Sequence, residues 1–256
     1  MLKGKRILLI ISGGVAAYKC LEVIRHLRGQ DALVRCILTS SATKFVTPLS
    51  VSSLSGDKVY SELFSLTDEN EMGHIKLSRD SDLIVVVPAT ANILARMAQG
   101  IADDLPTTVL LATDKVVMVA PSMNVRMWEH RATKSNLKIL RKRGIQIIGP
   151  DTGDMACGEF GEGRMAEPIQ ILSSIQEHFS NAQRLGGMRA LVTSGPTYEP
   201  IDPVRFLANR SSGKQGHAIA STLARFGANT TLVTGPTSEP DPSGVDVIHI
   251  ETAAQM

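Results

Sequence analysis

The sequence predicts an α/β fold built on a doubly wound parallel sheet, and two observations carry that expectation. The apolar runs are short and rich in β-branched residues: RILLII (6–11), ALVRCIL (32–38), DLIVVV (82–87), KVVMVA (115–120) and IQIIG (145–149). Continuous apolar strands of this length fit a parallel sheet covered on both faces. Helical patterns at 15–28, 90–99, 126–142 and 168–183 alternate with them, and that alternation is the signature of a doubly wound sheet. Such sheets bind ligands outside the carboxyl ends of their strands, so the chemistry is expected in the loops just after the apolar runs.

After the last of these helices, QRLGGMR (183–189) reads as a linker, dividing the chain into residues 1–188 and 189–256. Beyond it the pattern restarts with a strand at 189–195, a helix from Gly213 to Phe226, and strands at 229–235 and 245–250. Thr252 and Gln255 form a capping-box signal for a further helix. The sequence stops before that helix is written, which predicts that the second unit is the opening of a larger domain.

Composition narrows the function classes. The chain has 256 residues, 43% of them hydrophobic, enough for a sizeable core. Its 27 Lys and Arg against 25 Asp and Glu leave a net charge of +2, with no basic footprint for nucleic acid. The RKR triplet at 141–143 reads as a solvated helix C-terminus. Three cysteines, Cys20, Cys36 and Cys157, do not suit a disulfide framework or zinc, and point to a reducing, cytoplasmic compartment. The apolar N-terminal run passes straight into a glycine turn, so it reads as a buried strand and not as a signal peptide. No segment approaches membrane-spanning length.

Five strand-end loops and one histidine are candidates for chemistry. Ser12-Gly13-Gly14-Val15 follows the first strand and opens a helix, where free N–H groups and the helix dipole suit a phosphate; a plain structural turn fits as well. It matches neither the P-loop nor the GxGxxG fingerprint. Thr39 and Ser40, after the second strand, offer hydroxyls for a phosphate or a sugar-alcohol chain, or cap the next helix. Pro88-Ala89-Thr90-Ala91-Asn92 follows the most apolar strand; its small residues let a flat ring approach the backbone, and Thr90 reads as an N-cap. Ser122, Met123 and Asn124 follow Pro121. The Asn124 amide can bind a carboxylate without adding like charge, or cap a helix. The glycine-rich stretch 150–164 reads as a long mobile loop without regular structure, a length that is usually functional, and it carries Cys157. His74, before the strand at 82, is structural or catalytic.

Together these loops resemble the homo-oligomeric flavin-containing cysteine decarboxylases, in particular the bacterial bifunctional phosphopantothenoylcysteine decarboxylase/phosphopantothenate–cysteine ligases of coenzyme A synthesis. The resemblance rests on SGGVAAYK (12–19), Gly73-His74, PATAN (88–92), APSMNVRMW (120–128) and ACGEFGEGRMAEP (156–168). It implies a Rossmann/flavodoxin-like flavoprotein domain, followed by the start of a second Rossmann-like domain. It also implies FMN on Ser12, Gly13, Gly14, Val15, Thr39, Ser40, Pro88, Ala89, Thr90, Asn92, Ser122 and Met123. The implied substrate is 4'-phosphopantothenoylcysteine, whose thiol-bearing carbon is oxidised to a thioaldehyde that accepts the electrons released as CO₂ leaves. Reduction of the resulting enethiolate then yields 4'-phosphopantetheine. The implied roles are His74 as the group acting beside the flavin, Asn124 as the carboxylate clamp and Cys157 as the proton donor of the reductive half. A trimer or dodecamer is implied, with His74 facing a neighbour's flavin.

The second unit resembles the entry of the ligase through TSGPTYEPIDPVRFLANRSSGKQG (193–216). The resemblance places Gly195, Arg205, Asn209, Ser211, Ser212, Gly213 and Gly216 in that activity, which uses CTP and Mg2+ where the ligase half is complete. Two other readings share the fold: another flavin-dependent cysteine decarboxylase or flavin prenyltransferase, and a non-catalytic regulatory binding protein. The Cys157 loop, the ligase-like segment and the presence of His74 and Asn124 weigh against them.

Overall fold

A computed structural model describes residues 2–61, 73–156, 158–181 and 184–256. They form two compact units, Met1–Gln176 and Glu177–Met256. In the first, β1 (Arg6–Ile11), β2 (Leu33–Leu38), β3 (Val59–Tyr60), β4 (Leu83–Ala89), β5 (Val117–Pro121) and β6 (Gln146–Ile147) make one parallel sheet in the order β3-β2-β1-β4-β5-β6. All seven residues of β4 and all five of β5 are buried. Each large aliphatic side chain buried this way contributes about 1.5–3 kcal/mol. The chain reverses its direction of winding between β1 and β4, and the loops after these two strands open at that switch point.

The helices of this unit are α1 (Lys19–Arg28), α2 (Pro48–Ser55), α3 (Gly73–Arg79), α4 (Ala91–Gln99), α5 (Leu105–Leu111), α6 (Val125–Glu129), α7 (Arg131–Lys142) and α8 (Pro168–Asn181); α8 runs on into the second unit. Their ends follow local chemistry. Thr90 caps α4 by accepting from the Ile93 N–H, and Gly100, in the left-handed conformation at φ 72°, terminates it. Asp104 and Thr107 close a reciprocal capping box on α5. Arg143, last of the basic triplet, donates to the Ala98 carbonyl at 2.9 Å, near the C-terminal end of α4.

Three sequence expectations need correction. The pattern at 15–28 is a 3-10 turn over Val15–Tyr18 followed by α1. The pattern at 126–142 is two helices, because His130 is extended (φ −59°, ψ 135°) and its Nδ1 accepts from Ala132 N. The stretch 150–164 is not structureless: β7 (Asp151–Asp154) and β8 (Phe160–Arg164) pair as an antiparallel hairpin. The glycines that made it read as a loop permit a close approach. At Gly163 (φ 128°) a Cβ would stand 2.4 Å from the Met123 carbonyl oxygen, and Met123 N donates to the Gly163 carbonyl at 3.0 Å. The Trp128 indole N–H also donates to Glu162 Oε2 at 2.8 Å, docking α6 on β8.

The second unit holds a parallel sheet in the order β13 (Asp246–His249), β12 (Asn229–Thr234), β9 (Arg189–Ser194), covered by α9 (Lys214–Arg225). A small antiparallel pair, β10 (Glu199–Pro200) and β11 (Phe206–Leu207), lies between β9 and α9 in the chain. At the capping-box signal, Gln255 Oε1 accepts from the Thr252 N–H at 3.0 Å, with Gln255 N donating back to the Thr252 carbonyl at 3.1 Å.

Candidate active site

A cavity of about 800 Å³ opens at the carboxyl ends of the first sheet, lined by the loops after β1, β2, β4 and β5 and by the hairpin. Ser12 forms its floor. Its hydroxyl, nearly fully buried, donates to the Pro88 carbonyl at 2.6 Å and accepts from Thr90 N at 3.1 Å, joining the ends of β1 and β4. Its hydrogen bonds are thus committed to the protein, and the backbone of the next residues is what faces a ligand. Gly13 cannot carry a side chain, since a Cβ there would lie 2.3 Å from Ser41 Cβ. Thr39 Oγ1 accepts from Ala42 N at 3.2 Å and caps the following turn. Ser40, Ser41, Val15 and Asn92 complete this neutral, hydroxyl- and amide-rich wall.

The opposite chemistry comes from the loop after β5. Ser122 N donates to the Ala89 carbonyl at 3.0 Å, tying this loop to β4. Asn124 is the N-cap of α6, its Oδ1 accepting from Met127 N at 2.8 Å. The cap does not compete with a binding role; it orients the amide. With Oδ1 engaged by the helix, the two Nδ2 hydrogens are left for a ligand in the cavity that Asn124 lines. These donors suit a carboxylate.

Two charged clusters also reach the cavity, one through Arg96 and Asp104 and the other through Lys19 and Arg164. Arg96 pairs with Asp103 and with Asp104, the latter at 2.7 Å. Burial pushes the Asp104 carboxyl up, but hydrogen bonds from Thr107 and the Arg96 guanidinium outweigh it and hold the pKa below the ordinary range. The second cluster joins α1 to the hairpin: Glu167 accepts from Lys19 Nζ at 2.8 Å and from Arg164 Nη2 at 2.6 Å. The Lys19 hydrogen bond, opposed by slight desolvation and aided by both positive charges, keeps the Glu167 carboxyl below the usual value.

Of the expected FMN residues, Ser12, Gly13, Gly14, Val15, Thr39, Ser40, Thr90, Asn92, Ser122 and Met123 line this cavity together with Asn124. Pro88 and Ala89 do not; both are buried within β4, and Pro88 acts through its carbonyl on Ser12. His74 sits half-buried on α3 and is not among the lining residues. Cys157 lies outside the described residues. Sequence reasoning passed over Lys19, Arg96, Asp104 and Arg164. The Asp104-Leu105-Pro106-Thr107 capping signal was available for one of them; Arg164 lay inside a stretch read as a loop.

In the second unit Gly213 (φ 77°) caps α9, and Gly216 faces β9, where a Cβ would lie 2.4 Å from Ser194 Oγ; Gly216 therefore serves helix–strand packing. Gly195 (φ 79°) approaches Thr237 and the Gly235 carbonyl. Arg205 Nε pairs with Asp202 Oδ2 at 2.7 Å, and Asn209 Oδ1 accepts from Ser211 N at 2.9 Å. Ser211 and Ser212 are exposed. His217, which the sequence reading did not single out, is buried, with Nδ1 at 3.0 Å from the Gly213 carbonyl and 3.1 Å from Ser194 Oγ.

Residues 1–180 match the model of the family described as Flavoprotein. The chain belongs to the flavoprotein family. Residues 185–256 match the DNA/pantothenate metabolism flavoprotein C-terminal domain. The chain is 47% identical over 255 residues to the coenzyme A biosynthesis bifunctional protein CoaBC of Escherichia coli K12, all of the chain aligning with 63% of that protein. The Bacillus subtilis CoaBC is 41% identical, with 64% of it covered. The chain thus spans somewhat under two thirds of these relatives. Among solved structures, a PPC decarboxylase mutant complexed with pantothenoylaminoethenethiol superposes with TM-score 0.60 at 34% identity, covering 69% of this chain and 99% of that one. The FMN-binding protein AtHal3 does so with TM-score 0.60 at 35% identity, covering 68% and 96%.

The flavoprotein's cofactor is a flavin, and the cavity fits it. Its volume of about 800 Å³ lies in the range of cofactor sites. Gly13 has no room for a Cβ, and at Gly14 one would touch only Thr90 Cγ2, at 3.5 Å. These two residues leave main-chain N–H groups open to a phosphate, and Asn92 offers an amide for ring-edge or sugar-alcohol polar groups. No helix among the described residues is long and apolar enough to cross a membrane.

Proposed function

We propose that residues 1–188 are an FMN-dependent phosphopantothenoylcysteine decarboxylase, making 4'-phosphopantetheine in cytoplasmic coenzyme A synthesis. Residues 189–256 are then the opening part of a phosphopantothenate–cysteine ligase domain that uses CTP and Mg2+. The observation that carries the reading is Asn124: its Oδ1 is engaged as the cap on α6, and its Nδ2 donors remain at a cavity fitted for a flavin. The likeness to CoaBC proteins and to PPC decarboxylase supports it.

When bound, FMN supplies the two-electron acceptor and donor that makes loss of the carboxylate feasible. The protein supplies position and protons. Asn124 Nδ2 donates to the substrate carboxylate and sets it beside the flavin wall, without the repulsion a carboxylate side chain would introduce. The backbone of Gly13 and Gly14 and the hydroxyl of Ser40 hold the flavin's phosphate. Cys157, following the β7 end of the hairpin in the chain, delivers the proton to the product carbon. His74, which does not line its own chain's cavity, acts at a neighbouring subunit's flavin in a trimer or dodecamer. Arg205, Asn209, Ser211 and Ser212 belong to the ligase chemistry, with Gly195, Gly213 and Gly216 shaping its turns.

The test is the purified chain itself. It should be yellow with FMN absorption and convert 4'-phosphopantothenoylcysteine to 4'-phosphopantetheine, read by mass. A flavin-free chain that cannot be reconstituted overturns the reading. Release of an unreduced enethiol as the final product replaces it by an oxidative cysteine decarboxylase.

A further inference from the structure

The two charged clusters that reach the cavity, through Arg96 and Asp104 and through Lys19 and Arg164, differ in sign. Arg96 meets two carboxylates, Asp103 and Asp104, a local negative excess. Lys19 and Arg164 share one carboxylate, Glu167, a local positive excess. The Lys19 side chain is only 11% exposed, so its ammonium is largely removed from solvent. The Arg164 guanidinium lies across the hairpin over Gly153, where a Cβ would be 3.1 Å from Nη1. Arg164 is therefore placed both by its ion pair and by the missing side chain opposite. Asp154 also lines the cavity, from an exposed position on the same hairpin.

Two cations sharing one carboxylate leave a positive charge over, which calls for an anion. The Gly13–Gly14 turn is neutral and works through main-chain N–H groups, so the flavin's phosphate has its own place. The remaining anionic group of the reaction is the substrate's phosphomonoester, which carries about −1.5 to −2 charges near neutral pH and matches a guanidinium fork. We infer that Lys19 and Arg164 form the subsite for the substrate's phosphate, and so set the preference for phosphorylated over unphosphorylated pantothenoylcysteine. Glu167 holds both cations in place before the ligand arrives, which reduces the ordering cost of binding. The inference rests on the decarboxylase reading above and adds to it the residues that read the far end of the substrate.

The experiment measures kcat/KM of the FMN-loaded chain on 4'-phosphopantothenoylcysteine and on pantothenoylcysteine. The wild type should prefer the first, and Arg164→Gln should lower the ratio of the two by about 10- to 100-fold, the worth of one charge-assisted contact. Lys19→Gln should lower it in the same direction. If either variant reduces both rates and keeps the ratio, the cluster is only a latch for the hairpin and the inference fails. It also fails if the ratio survives while FMN is lost on gel filtration, which would assign the pair to the flavin's phosphate. Should both variants misfold, inorganic phosphate added to the wild type decides. It should raise KM for the phosphorylated substrate alone, and an equal or absent effect on both substrates refutes the subsite. A wild type that consumes both substrates equally sinks the subsite and leaves the decarboxylase standing; one that consumes neither removes both.

Discussion

Replacing Asn124 by Asp separates the two tasks of that side chain. The cap is a hydrogen bond from Met127 N to Oδ1 at 2.8 Å, and Asp accepts it as well as Asn does. Folding stability should therefore stay within about 0.5 kcal/mol of wild type. The free end of the side chain changes from a donor to a second negative oxygen. One charge-assisted hydrogen bond of about 1.5–3 kcal/mol is lost. Two like charges about 4 Å apart at an effective dielectric of about 20 repel by about 4 kcal/mol, a figure reduced here because Asn124 is only half-buried. A net cost of about 4 kcal/mol lowers kcat/KM by about 10³-fold. Asn124→Ala provides the contrast. It loses the cap, about 1 kcal/mol or a few degrees in Tm, and loses the donor but adds no charge. The expected order is thus crossed: wild type and N124D together above N124A in Tm, but wild type above N124A above N124D in kcat/KM. Thermal unfolding and a CO₂-release assay on the same preparations read both. If N124D keeps kcat/KM within threefold of wild type, or if the two orders coincide, the carboxylate clamp is wrong.

Gly13→Ala should abolish flavin retention, because its Cβ would stand 2.3 Å from Ser41 Cβ and displace the loop after β2; absorbance at the flavin band after gel filtration reads this, and normal retention would show that the turn yields. Burial pushes the Cys36 thiol up to about 12 and raises that of Cys20 as well, so iodoacetamide should label both in urea and neither in the native chain, as peptide mass mapping would reveal. Glu167 has a depressed pKa, so its contribution is present above the unfolded value of about 4.3 and is lost as pH falls through the lower folded value. The Tm advantage of wild type over Glu167→Gln should accordingly shrink from pH about 6 to about 3. It should be small throughout, since the side chain is 40% exposed, and an advantage that grows on acidification would reverse the assignment. Trp128 is the single tryptophan and donates to Glu162, so Glu162→Ala should shift its emission as the hairpin loosens; an unchanged spectrum would mean that the indole contact does not hold the hairpin.

The parts of this molecule that were legible in the sequence are those set by local chemistry. β1, β4 and β5 declare themselves because a fully buried parallel strand needs an unbroken apolar run. Thr90 and Asn124 read correctly as possible caps because capping is decided within three residues. The hairpin at 151–164 was not legible. Gly161 and Gly163 have no strand propensity of their own, and what makes them strand is the surface they meet, Val125 and the Met123 carbonyl. Lys19 escaped notice for a related reason: Arg164 and Glu167 are three residues apart, but Lys19 lies 145 positions before Arg164, and only the fold brings it to that pair. The break at His130 was hidden because the apolar spacing of 126–142 continues through it, while a single extended residue interrupts the backbone.

The contact between Gly163 and the Met123 carbonyl also bears on anyone who would transplant this pocket. The turn at 121–128 and the hairpin at 151–164 are separate in sequence, yet Met123 N donates to the Gly163 carbonyl, and Gly163 has no room for a methyl group against the Met123 carbonyl. They are a single interchangeable part. A chimera that exchanges one without the other would bring a mismatched surface to the Asn124 amide, whereas exchanging both together carries the proposed clamp across intact. The boundary of a graftable substrate module therefore runs through space, around two peptide segments, and not along one stretch of chain.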